Sequence, residues 1–123
     1  QYAAVCRLAR RHQGMKIILI FLALTYALWI FFLAVMSLKR ARDAGTLHMP
    51  AVVLGYPVLI VGWLIDFVVN ATVMTALFLE LPREMTVTAR LKRHNRAGSS
   101  WRKKIAAWFE PLLDPYDPSG DHI

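Results

Sequence analysis

Two apolar runs leave this chain few ways to fold: Ile17 to Leu38, and Ala51 to Leu79, the second interrupted by one charge at Asp66. The first holds 22 residues and no charged side chain. At helical rise that is about 33 Å, enough to cross a hydrocarbon layer roughly 30 Å thick. Backbone amides find no water partner in lipid, so such segments must be α-helical. The expected fold is therefore an all-α membrane protein, a two-helix transmembrane hairpin carrying a short basic amphipathic cytosolic extension. Its parts read as a basic flank (1–16), a first span (17–38), a hairpin loop (39–50), a second span with its approach segment (51–79), and an extension with an Asp-Pro tail (80–123).

A secretory leader explains the first run less well. Its apolar region would be about 7–15 residues, and Val35-Met36-Ser37, the one small-residue cleavage candidate, runs directly into Lys39 and Arg40. We therefore expect a retained anchor. The chain begins at Gln1 rather than Met, and we expect residues upstream of it.

Charge sets the expected orientation. Twelve of the 15 basic residues lie in the two terminal parts, against Lys39, Arg40 and Arg42 in the loop. Cytoplasmic flanks collect Lys and Arg, so both termini are expected in the cytoplasm. Asp43-Ala44-Gly45 offers the turn between antiparallel helices. Pro57 suits the first turn of a membrane helix, which would then run to Leu79.

On that second helix Gly62, Asp66 and Asn70 recur every four residues and share a face. An ionised carboxylate in mid-membrane costs about 2.5–3.5 kcal/mol on insertion scales, so the stripe should face protein. Equal depths in a hairpin place Asp66 near Trp29, and Asn70 near Thr25 and Tyr26, all hydrogen-bond donors. An interhelical polar clasp or oligomer contact is the expectation, ahead of a proton or ion relay that would require several ionisable groups. Asn70-Ala71-Thr72 matches a glycosylation sequon at a depth no glycan reaches.

Beyond Leu79 the sequence predicts a helix over 82–94, a break at Ala97-Gly98-Ser99, and a second helix over 101–110 capped by Ser100 and stopped by Pro111. Trp101, Ile105, Trp108 and Phe109 fall on one side of it, with Arg102, Lys103 and Lys104 mostly opposite. A basic amphipathic helix beside a span is expected to lie on an anionic lipid surface. With no recognition fold in so few residues, the pI near 10.1 is read as membrane-facing charge and nucleic acid is not expected. The tail is acidic and Pro-rich. Asp114, Tyr116, Asp117 and Asp121 are candidates for docking a partner or folding back on the basic helix.

No metal or cofactor is expected. His12, His48, His94 and His122 are scattered without ligand spacing, and Cys6 is alone. No nucleophile beside a base is visible, so we expect no enzyme.

The segments LFLELPRE (77–84), TARLKRH (88–94), WRKK (101–104) and LLDPYDPSGDH (112–122) together resemble small uncharacterised two-span membrane proteins encoded by tailed phages and prophages. The likeness covers the C-terminal 45 residues and the two-span layout. It implies the inner membrane of a bacterial host and assigns no catalytic residue. The expected role is a non-enzymatic phage-type accessory protein. It would act by holin-like permeabilisation, or by exclusion or modulation of host envelope functions, as a homo-oligomer or beside a membrane partner. The alternative is a structural or assembly subunit of a larger membrane complex.

Overall fold

A computed structural model describes all 123 residues. The chain is helical throughout, without a strand: α1 (Tyr2–Asp43), α2 (Met49–Ala71), α3 (Val73–Phe78), α4 (Val87–Ala97) and α5 (Ser100–Leu113), then a 3-10 turn at Asp114–Tyr116. Two helical stretches, α1 and the α2–α3 pair, are long and apolar enough to cross a membrane.

The basic flank is not a separate element. No proline stands before Pro50, and the helix expected over 17–38 extends in both directions, passing through Gly14, to 42 residues, about 63 Å at helical rise. Its end is sharp. Gly45 has a left-handed φ of 71°, its N–H bonds the Arg42 carbonyl, and the Thr46 N–H bonds that of Ala41. This is the Schellman arrangement, and a side chain at Gly45 would be strained.

α2 starts earlier than expected. Pro50 occupies its first turn, where a missing N–H costs nothing, and the helix then runs straight through Pro57. α1 and α2 pack antiparallel. A Cβ on Gly55 would come within 3.1 Å of Leu38 Cδ1, and one on Gly62 within 3.4 Å of Phe31 Cβ. The two glycines thus let the helices approach closely.

The second apolar run is not one helix. Thr72 departs from helical geometry (φ −112°, ψ −75°), and its hydroxyl donates to the Val68 carbonyl at 2.6 Å, a competing bond of the kind that bends helices. α3 ends at Leu79, a non-glycine residue at φ 50°. Helix does not resume at Pro82 but at Val87, where Thr86 caps α4 by accepting the Ala89 N–H at 3.2 Å. The break near Gly98 falls as expected. Pro111 does not stop α5, which continues to Leu113, because a proline in the last turn forfeits only one backbone bond.

The core lies between the two apolar helices and the extension. Val69, Met74, Phe78, Val87, Leu91, Ala106, Leu113 and Ile123 form it, with Leu24, Leu28, Trp29 and Phe32 of α1 against it. So the extension folds back along α1 and α2 instead of standing away from them. α5 in consequence does not present its aromatic side as one lipid-facing surface. Ile105 and Phe109 pack on the core, Ala106 is fully buried, and Trp108 points outward at 67% exposure. A small residue at 106 is what permits that close approach.

Candidate functional site

Two polar clusters and one cavity lie where the extension meets the apolar helices. The first cluster fastens the link after α3. Asp66 Oδ1 accepts the Val87 N–H at 2.7 Å, satisfying one of the free donors at the start of α4. Asn70 Nδ2 donates to the Glu84 carbonyl at 2.6 Å. Asp66 and Asn70 therefore do face protein, but the protein is the 84–87 link. The hydrogen bonds expected with Tyr26 and Trp29 are absent, since the link reaches these polar groups first. Tyr26 is exposed, and Trp29 turns its ring to Phe32 and Tyr116.

Around the link, Glu80 and Glu84 share Arg93. His94 Nε2 lies 2.7 Å from Glu80, its ring stacked on Phe78 at 4.4 Å. Burial raises the Glu80 carboxyl, but the bonds from Arg93 and His94 outweigh it and hold the group down at about 2. Burial also raises Glu84, and Arg93 again brings it below the usual carboxylate range. Arg90 is fully buried, reaching only Thr75 Oγ1 at 3.4 Å, with Nε and Nη2 unpaired. Desolvation lowers its pKa, and the nearby Glu80 and Glu84 charges offset part of that.

The second cluster is built by the tail. Asp117 accepts from Lys39 Nζ at 2.7 Å and lies 2.8 Å from His122 Nδ1. The other imidazole nitrogen, Nε2, is 2.9 Å from Thr88 Oγ1. Asp114 accepts the N–H groups of both His122 and Ile123, at 2.8 and 3.1 Å. Burial raises Asp117, but Lys39, His122 and Ser119 pull it well below the ordinary range. Of the four docking candidates, Asp114, Tyr116 and Asp117 are engaged within the chain, and Asp121 stays exposed.

Thr88, His122 and Asp117 thus form a hydroxyl–imidazole–carboxylate line, the relation that marks an activated nucleophile. Sequence reasoning missed it because 34 positions separate Thr88 from His122. The local signal was the DPSGDH segment, where a turn at Ser119-Gly120 returns His122 to Asp117. The basic residues of α5 serve differently from one another. Arg102 Nε donates to the Phe78 carbonyl at 2.9 Å, closing the end of α3, and its guanidinium lies over the Trp101 ring. Lys103 and Lys104 remain exposed.

The cavity, about 330 Å³, opens between α1, α2 and the extension, and both Asp66 and Trp29 line it. Thr88 and His122 form part of its wall, among side chains that are mostly apolar. No protein-family model matches the chain, and no curated protein or solved structure matches it.

Proposed function

We propose that this chain is a phage-type accessory protein of the bacterial inner membrane, a two-span hairpin with a cytoplasmic N-terminus that acts on host envelope functions by contact. The C-terminus, expected on the same side, does not fit there, because Lys39 at the loop end of α1 holds Asp117 toward the opposite face. One observation carries the membrane reading. Ile17, Ile18, Leu19, Ile20 and Leu22 are each about half exposed or more, and at 100° per residue they cover every side of α1. A water-facing helix does not leave such a surround bare. Positive-inside reasoning and the resemblance of 77–122 to phage membrane proteins support the setting and orientation.

Contact is favoured over permeabilisation because Asp66 and Asn70, the polar groups that would line a lumen, are already bonded to the 84–87 link. In this reading α4 and α5 form a helical pair inserted beside the spans, with Arg93, Arg96 and Arg102–Lys104 at its cytoplasmic end. Induced expression tests it: host growth or phage susceptibility should change while membrane potential holds. Immediate loss of potential would restore the holin-like role.

A second reading rests on the Thr88–His122–Asp117 line. In an acyl transfer, Thr88 Oγ1 would attack an ester carbonyl, pass its proton to His122 Nε2, and release an alcohol that takes that proton. Hydrolysis of a chromogenic acyl ester that disappears in Thr88→Ala and His122→Asn would support it. Equal rates in the variants would leave the line as a latch for the tail.

A further inference from the structure

We propose that the central cavity takes one acyl chain of a membrane lipid, entering sideways between α2 and α5. The inference rests on the membrane reading above. Leu59, Trp63 and Leu112 line the cavity and are also exposed on the outside of the fold, so they mark its mouth. Leu59 and Trp63 belong to the apolar run of α2, and a mouth at that level opens into hydrocarbon rather than water.

The wall asks for an apolar occupant. Its polar side chains, tryptophans aside, already have partners: Thr25 donates to the Phe21 carbonyl, Asp66 accepts the Val87 N–H, and Thr88 pairs with His122. Among these four only Asp66 Oδ2 has no hydrogen-bond partner, and one acceptor in an otherwise mostly apolar wall suits an apolar occupant better than a polar one. The Asp66 carboxyl in the wall also disfavours a fatty-acid headgroup at depth. The chain therefore enters tail first, leaving its headgroup outside. A volume of about 330 Å³ sits at the lower end of ligand pockets, roughly 300–1,000 Å³. A helix from a second copy, roughly 10 Å across, is too wide for it.

The test uses full-length protein reconstituted in phosphatidylcholine vesicles with or without brominated acyl chains, which quench tryptophan on contact. Two single-tryptophan forms are compared, one keeping Trp29 inside the cavity and one keeping Trp63 at its mouth, the other tryptophans being Phe. Quenching of Trp63 reports that the spans sit in lipid, and its absence would sink the membrane reading itself. Given that, Trp29 should also be quenched, and Val35→Phe with Leu112→Phe, which fill the cavity and narrow its mouth, should cut Trp29 quenching several-fold while Trp63 is unchanged. Trp29 unquenched beside a quenched Trp63 would overturn the proposal. So would Trp29 quenching that the filled variant leaves intact. If the double variant loses helicity, Leu112→Phe alone is read by the same criterion.

Discussion

Lys39, near the end of α1, donates to Asp117 in the C-terminal tail at 2.7 Å, across 78 positions of sequence. The Asp117 side chain is 5% exposed and that of Lys39 30%. Arg40 reinforces the contact by reaching the Tyr116 carbonyl at 3.4 Å, and the Tyr116 ring meets Trp29 edge-on at 5.5 Å. The tail is therefore a strap along α1, and α4 and α5 lie beneath it.

The Glu80 cluster predicts how the extension responds to acid. Glu80 titrates at about 2 in the folded chain against an ordinary 4.5, so the unfolded state binds its proton more tightly. Its stabilisation is complete above pH 4.5 and drains away as pH falls toward 2. The denaturation midpoint of the extension in micelles, followed by tryptophan fluorescence, should be flat from pH 7 to pH 5 and then drop. Glu80→Gln should lower the unfolding free energy by about 1.5–3 kcal/mol at neutral pH and flatten the acid limb.

Two arginines three residues apart should behave in opposite ways. Arg93→Met leaves the half-buried Glu84 without its cation and Glu80 with only His94 and the more distant Arg102, and should cost about 3–5 kcal/mol. Arg90→Met removes a buried charge with two unpaired nitrogens and keeps the volume of the stem. It should cost less than about 1 kcal/mol, or stabilise. Denaturant titration of the two variants decides this, and equal losses would mean that Arg90 has a partner of comparable strength.

Leu79 predicts a gain. Its φ of 50° costs an L-residue roughly 1–2 kcal/mol. Leu79→Gly removes that strain and gives part of it back as unfolded-chain entropy, for a net gain of about 0.5–1 kcal/mol. Leu79→Val, branched at Cβ, should destabilise. Thermal scans of the two variants in micelles check the sign.

The apolar helices were legible because their signal is continuous. Ile17 to Leu38 allows one secondary structure, and Asp43-Ala44-Gly45 marks its end. The Gly62–Asp66–Asn70 stripe was also legible as a protein-facing surface. Its partner was not, because the expectation paired the long helices by depth alone, and nothing local shows that residues 84–87 return to Asp66. The same limit hid the tail. Asp114 and Asp117 look like solvated charges until Lys39 and His122 are brought beside them. α5 misled for a different reason: its aromatic face is real, but burial follows Ala106, whose small side chain a hydrophobic pattern underweights.

The central claim, that the extension folds back along α1 with its tail strapped to Lys39, is tested most directly by a cross-link. With Cys6→Ser as background, Lys39→Cys and Asp117→Cys should be joined within one chain by a short reducible bis-thiosulfonate cross-linker, which spans the gap left by the lysine stem, in native membranes, seen as a reducible mobility shift independent of protein concentration. Pairing Asp117→Cys with Lys16→Cys, at the far end of the apolar run, should give none. A link at position 16 and none at position 39 would contradict the account.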